Sequence, residues 1–296
     1  MLWRKEKKTF FDNSLGRSTG FTLVEVLIAM VTGLIALGSI YSVYISQMKA
    51  HGSQRAHLAL QQNLRSAMVI LEQEIRMAGF DPEDSNQFGI TDVRRFDLVA
   101  NAPNPDGSPA LFYTIDADED GLLSPRNHYR NNEHCNFRIR QEETSGRQYL
   151  AWDFGQGRQI MAEDIEAIGF AYGVDVNRDG RLDHWGNGAN LIWAVDSDND
   201  NRLDTHIDPT DDGLVDAGDD RDQDGRITPM DGGVLNPPIA VGSIKAVRVW
   251  LLAKSTRPVK DHVDQGVYVV GDKIIKPNGD GFVRRLLVTT IDGRNL

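Results

Sequence analysis

Residues 20–48 read GFTLVEVLIAMVTGLIALGSIYSVYISQM, and this stretch decides the architecture. From Val26 to Met48 there is no charged side chain over 23 residues. About 20 apolar residues in a helix cross the hydrocarbon core of a bilayer, so the run is long enough to span one. Ahead of it, Arg4, Lys5, Lys7, Lys8 and Arg17 outweigh Glu6 and Asp12, giving residues 1–20 a net charge of +3. A basic flank is held on the cytoplasmic side of a span. An ordinary secretory signal peptide fits poorly, because its apolar core is about 7–15 residues long and an A-x-A-like site should follow. A plain signal anchor is the simpler alternative, and Glu25 argues against both. A carboxylate inside an apolar helix costs about 2.5–3.5 kcal/mol by insertion scales, so it calls for a partner and a role.

Downstream the composition turns polar but the helical period persists. Leu60, Leu64, Ala67, Met68, Leu71, Ile75 and Ala78 form one stripe at i, i+3, i+4 spacing. Gly79 stands where a helix C-terminal glycine belongs, and Pro82 prevents continuation. Phe21 to Ala78 would measure about 87 Å at ~1.5 Å per residue if unbroken, with Gly33 and Gly38 as points of bending. Beyond Gly79 the pattern changes to β-branched and aromatic runs with Gly, Pro, Asn and Asp between them. Strands are expected at 96–100, 110–115, 137–141, 148–154, 165–174, 244–254, 267–270, 273–275 and 283–290. One long helix whose stripe covers an antiparallel sheet is an α+β layout.

The string Gly20-Phe21-Thr22-Leu23-Val24-Glu25, set before a long apolar helix, resembles the type IV prepilin signature. The resemblance implies a type IV pilin fold. It implies cleavage after Gly20 by a prepilin peptidase, N-methylation of the new N-terminal Phe21, and pairing of Glu25 with the Phe21 amine of a neighbouring subunit during assembly. A carboxylate in lipid needs a cation, and a freed α-amino group is one. The implied organisation is a leader at 1–20, a membrane and assembly helix at 21–48, its amphipathic continuation at 49–80, and a β-rich head at 81–296 with an insert at 175–232. Four further segments, LRSAMVILEQEIRMAGF, DIEAIGFAYGVD, IKAVRVWLLAKS and RRLLVTTIDGRNL, are together similar to the PilW family of minor pilins. J-type pseudopilins of type II secretion share that plan and are the nearest confusable group. The family implies a non-enzymatic inner-membrane protein with its N-terminus in the cytoplasm and its head in the periplasm, later built into a cell-surface pilus. Implied partners are the prepilin peptidase/N-methyltransferase, other minor pilins, the major pilin and a tip adhesin, in a complex that primes the fibre.

Charge adds a second feature. The chain carries a net charge of −11, and residues 175–232 alone, with sixteen Asp, five Arg, no Glu and no Lys, account for all of it. An acidic balance excludes a protein that coats nucleic acid. The Asp residues are spaced in register. Asp175, Asn177, Asp179 and Asp183 fall at loop positions 1, 3, 5 and 9 with Gly180 at 6, and Asp196, Asp198, Asp200 and Asp204 repeat them with Asn201 at 6. Asp220, Asp222, Asp224 and Gly225 continue to Thr228 and to Asp231 at position 12. Asp208, Thr210, Asp212, Gly213, Asp216 and Asp219 make a looser copy. Outside the stretch, Asp116, Asp118, Asp120 and Gly121 lead to Ser124 and Asn127. Alternating oxygens around a glycine turn suit calcium, which takes 6–8 hard ligands, whereas magnesium resists dehydration by protein cages. No loop has Glu at position 12 and the flanks do not read as helices. The loops therefore depart from EF-hands and resemble dockerin or thrombospondin type 3 calcium loops. A solvated, disordered acidic segment is the bland alternative.

Catalytic signatures such as GxSxG, HExxH, CxxC and the phosphate-cradling loop are missing. Cys135 is the sole cysteine, so no intrachain disulfide forms, and His128, His134 and Cys135 read as loop residues at a strand start rather than a zinc site. Arg138/Arg140 and Arg284/Arg285 read as solvated sheet faces or subunit contacts rather than a nucleic-acid groove. Three functions remain: a minor pilin of a type IV pilus, a pseudopilin, or a calcium-dependent adhesive module at a pilus tip.

Overall fold

A computed structural model describes residues 20–100, 102–125, 132–155, 157–186 and 188–296, leaving aside the side chains of Lys49, Ser53 and Ala56. Leader residues 1–19, Asn127 and His128 lie outside the described residues. The chain divides into two units, Met1–His51 and Gly52–Leu296, and helix α1 (Leu23–Met77) contributes to both.

In the first unit the helix is apolar on every face. Val24, Leu27, Ile35 and Ile40 are all exposed, and the helix runs through Gly33 and Gly38 without a break. It is the one helix among the described residues long and apolar enough to cross a membrane. An all-round apolar surface is what lipid or a bundle of like helices buries.

In the second unit the stripe of the sequence becomes the core. Leu60, Leu64, Ala67, Met68, Leu71, Ile75 and Ala78 are all buried, each large side chain contributing about 1.5–3 kcal/mol. The helix stops where Gly79 turns to φ 77° and donates its N–H to Thr114 O at 2.9 Å. A Cβ at Gly79 would sit 2.5 Å from the Asn295 carbonyl oxygen, so no other residue fits there.

Where one antiparallel sheet was expected, the described residues form two of six strands each and a separate hairpin. The first sheet contains β1 (Ile90–Asp92), β2 (Arg95–Phe96), β3 (Ser108–Thr114), β4 (His134–Gln141), β5 (Gln148–Phe154) and β6 (Gly157–Glu163). The second contains β7 (Ile165–Val174), β8 (Trp193–Val195), β9 (Arg202–His206), β10 (Val234–Ala240) and β11 (Ile244–Lys254). After the hairpin of β12 (Tyr268–Val270) and β13 (Lys273–Ile275), β14 (Arg284–Asp292) completes it, in the order β10-β9-β8-β7-β11-β14. The helix stripe shares one core with Leu111, Phe137 and Leu150 of the first sheet and Phe170, Val249 and Leu251 of the second.

The strand expected at 96–100 shrinks to Arg95–Phe96 because the Asp97 carboxylate accepts the N–H groups of Val99 and Ala100 and turns the chain. The larger difference concerns 175–232. This stretch supplies β8 and β9 to the interior of the second sheet, so it is neither disordered nor an appendage. Its Trp193, Val195, Ile207 and Ile227 bury against Trp250 and Leu252 in a second core on the other face of that sheet. The Asp-rich segments are the loops between these elements.

Candidate functional site

All five Asp-rich segments adopt one backbone design. The first Asp receives two main-chain N–H groups, four and five residues on: Asp116 from Asp120 and Gly121, Asp175 from Asp179 and Gly180, Asp196 from Asp200 and Asn201. Asp208 receives those of Asp212 and Gly213, and Asp220 those of Asp224 and Gly225. The fifth-position Asp (120, 179, 200, 212 and 224) accepts the N–H two residues on at 2.8–2.9 Å. Position 4 has positive φ in every loop (Glu119, Arg178, Asn199, Asp211 and Gln223), and so does position 6, including Asn201 at 69°. Asn is the side chain that tolerates this region best after Gly, which explains the substitution.

Closure of the loops falls into two kinds. In the 175 and 196 loops the position-9 carboxylate, Asp183 or Asp204, accepts the N–H of position 2 (Val176 or Ser197) at 2.7 and 3.0 Å. The other two loops of the stretch close through position 12. Asp231 accepts from Arg221 and Asp222, and Asp219 accepts from Thr210. Asp216, expected as a ligand at position 9, is exposed and accepts the Gly218 N–H, while Asp219 is fully buried beneath it. The 116 loop recruits a residue that its spacing does not predict: buried Glu133, just before β4, accepts the Ser124 N–H at 2.7 Å. No local motif announces Glu133, because the β3–β4 pairing brings it there.

Three groups of carboxylates converge until their oxygens lie within 4.8 Å of one another: Asp116, Asp118, Asp120 and Glu133; Asp196, Asp198 and Asp204; Asp220, Asp222 and Asp231. Opposite ligands at 2.3–2.6 Å from one calcium ion stand up to about 5 Å apart, so the donor sets fit such an ion. Asp200 and Asp224 remain outside these groups. Among the described residues, neither Asp175, Asp179 and Asp183 nor Asp208, Asp212 and Asp216 make a comparable cluster. Asn177 places its amide between Asp179 and Asp183, at 3.3 and 3.4 Å.

The convergence is electrostatically costly without a cation. Burial pushes Asp196 up to about 6 against the N–H bonds of Asn201 and Asn199, and Asp204 and Asp200 push the same way. Burial also raises Glu133, with Asp118, Asp120 and Asp116 adding to it. At Asp222 the Asp224 N–H lowers the carboxyl, but desolvation and the charges of Asp224, Asp231 and Asp220 outweigh it.

At the start of α1, Gly20 and Phe21 precede the helix and are exposed. Glu25, one turn in, accepts the backbone N–H and the hydroxyl of Thr22 at 2.9 and 3.0 Å.

The family described as Type IV Pilus-assembly protein W, PilW, matches residues 147–295, half of the chain. The chain belongs to the PilW family. The family described as Prepilin peptidase-dependent protein B, PpdB, matches residues 53–152 of this PilW-family chain. Among solved structures it is similar to a type IV-like pilin from Thermus thermophilus, 13% identical over 80% of this chain and 98% of that one, with a TM-score of 0.40. No curated protein matches it. The PilW-family chain is thus a pilin-like minor pilin of a type IV pilus, a membrane-anchored component that interacts with other pilins and the assembly machinery.

Two other residues of this PilW-family pilin, Cys135 and His134, are held in the fold by local contacts. Cys135 is buried, its thiol is pushed up to about 12 by burial, and it donates to Asn132 O, so it packs as a hydrophobe. His134 pairs with Ser124 O at 2.8 Å.

Proposed function

We propose that the chain is an inner-membrane prepilin cut after Gly20 by the prepilin peptidase, methylated at Phe21, and carried into the fibre, where it primes assembly with other minor pilins and the major pilin. Residues 21–48 span the membrane with the N-terminus cytoplasmic, 49–80 continue the helix, and 81–296 form the periplasmic head. The observation that carries this reading is Glu25, the one carboxylate in the apolar, exposed part of α1 from Leu23 to Met48. Such a charge needs a cation once lipid surrounds it, and the Phe21 amine of a neighbouring subunit supplies one. The role is structural rather than catalytic. Mass spectrometry of the membrane-extracted protein tests it: a mature chain beginning at N-methyl-Phe21 supports the reading, and an intact leader overturns it.

The same head is proposed to bind calcium in its Asp loops, with the 116, 196 and 220 loops as the tight sites, since these bring three or more carboxylates together. Calcium would supply charge neutralisation to the crowded carboxylates and fix the loops that connect β7 to β10. Calorimetric titration of the full chain with calcium is the direct test, and absence of heat at millimolar calcium would refute it.

A further inference from the structure

Arg138 and Arg140 do not lie on a solvated face. On β4, Cys135, Phe137 and Ile139 point into the helix-facing core, so Asn136, Arg138 and Arg140 share the opposite face, yet Arg138 is only 2% exposed and Arg140 9%. They line a cavity of about 460 Å³ with Asp153 of β5 and Arg158 of β6. Ala151 stands opposite Arg138 in the strand pairing, and its short side chain leaves the room. The Phe96 ring supports the Arg138 guanidinium at 5.7 Å.

The pocket holds more positive charge than its one carboxylate neutralises. Asp153 alone faces Arg138 Nη2 at 3.5 Å, Arg140 Nη2 at 2.8 Å and Arg158 Nε at 2.6 Å. Three guanidinium groups against one carboxylate leave a charge of +2, with His134, Tyr113 and Cys135 the other titratable groups on the wall. Burial lowers Arg140, and Arg158 adds to that while Asp153 opposes it. Four buried polar atoms of residues that line this space have no partner: Nε and Nη1 of Arg138, Nε of Arg140 and Oδ1 of Asn136. Buried guanidinium donors without acceptors are rarely tolerated unless something fills them.

We propose that this pocket binds an acidic peptide segment of a partner protein, its Asp or Glu carboxylate held by Arg138, Arg140 and Arg158 and a neighbouring peptide N–H donated to Asn136 Oδ1. The unpartnered acceptor beside the unpartnered donors favours a peptide over a phosphodiester, which offers no N–H. Guanidinium–carboxylate bonds are the strong, charge-assisted kind.

Calorimetry on the full chain in detergent tests this, with acetyl-Gly-Asp-Gly-amide, its Asn counterpart, acetate and inorganic phosphate as probes. The Asp peptide should bind at least roughly tenfold more tightly than the Asn peptide. Arg138→Lys should weaken it by about as much. Arg158 sits at the rim with its side chain 47% exposed, so Arg158→Gln should fold normally and still weaken binding severalfold. Arg285→Gln, exposed and away from the pocket, should bind like wild type. Equal binding of the Asp and Asn peptides would overturn the proposal. So would acetate or phosphate binding as tightly as the Asp peptide, because the occupant would then be a free anion.

Discussion

Thr22 and Glu25 cap each other: Glu25 Oε2 accepts the Thr22 N–H at 2.9 Å, and the Glu25 N–H donates to Thr22 Oγ1 at 3.2 Å. This is a reciprocal capping box at the first turn of α1. The carboxylate therefore has a local use besides the proposed pairing with Phe21, and two substitutions separate them. Glu25→Gln keeps an acceptor for Thr22 but removes the charge, whereas Glu25→Ala removes both. Both should be cleaved normally, and both should fall roughly tenfold or more in sheared pili by immunoblot, as expected for loss of a desolvated ion pair. Wild-type incorporation of Glu25→Gln would leave capping as the whole role.

Gly20→Ala isolates the processing step. A Cβ at Gly20 meets nothing within 4 Å, so the substitution costs the folded chain nothing. Any defect must arise where the peptidase approaches the backbone. Intact-mass measurement should find the leader retained on most of the protein. Normal maturation would move the cleavage site elsewhere.

The helix was legible because a 3.6-residue period has no other reading, and all seven stripe residues are buried. The loop positions were legible for a similar reason, since Asx hydrogen bonding fixes Asp at positions 1 and 5 and a positive φ fixes Gly or Asn at position 6. What sequence concealed are contacts set by pairing. Trp193–Val195 and Arg202–His206 are too short and too flanked by Asp to read as strands, yet β7 and β10 hold them in the sheet. Pro237 and Pro238 hid β10, which tolerates them because it is an edge strand. Glu133 depends on the β3–β4 register rather than on spacing. The alternation of Arg138 and Arg140 suggested solvent, whereas the pocket buries them.

The other basic pair splits differently. Arg284 is buried and bonds Glu166, Asp264 and Asp280 at 2.6–3.1 Å, while Arg285 is exposed. Arg284→Met would leave three carboxylates facing one another and should cost about 3–5 kcal/mol in urea unfolding. The Arg284 bond holds Asp280 down to about 2. A depressed carboxyl stabilises the fold above its unfolded pKa, so the difference between variant and wild type should narrow as pH falls from about 4 toward 2. A pH-independent difference would mean packing, not charge, is what Arg284 provides.

Asp196 predicts the opposite slope. Its carboxyl is raised to about 6 in the fold, so the native state takes up a proton more readily than the unfolded one. In EDTA, its contribution should make the protein more stable as pH falls from 7 through about 6 toward 4. Asp196→Asn should abolish that part of the pH dependence of the melting temperature. Subtracting the two profiles removes the other carboxyls, and a flat difference between pH 4 and 7 would show that Asp196 is not strained.

Calcium should reverse that strain, and its stoichiometry is the sharpest measurement. Five loops share one backbone design, but among the described residues only those at 116, 196 and 220 converge three or more carboxylates. Three tight sites are expected, therefore, and each should add about 2.7 kcal/mol of stability at a hundredfold excess over its Kd. Asp220→Asn should remove one of the three, because Asp220 both belongs to the carboxylate group that would hold the ion and binds the Asp224 and Gly225 amides. Asp179→Asn should leave the tight stoichiometry unchanged, since its loop does not gather three carboxylates. Magnesium at equal concentration should stabilise less, because it gives up its water reluctantly. Five equivalent ions would mean that backbone design, not carboxylate convergence, sets affinity, and no calcium uptake would leave the Asx hydrogen bonds as the sole reason for the spacing.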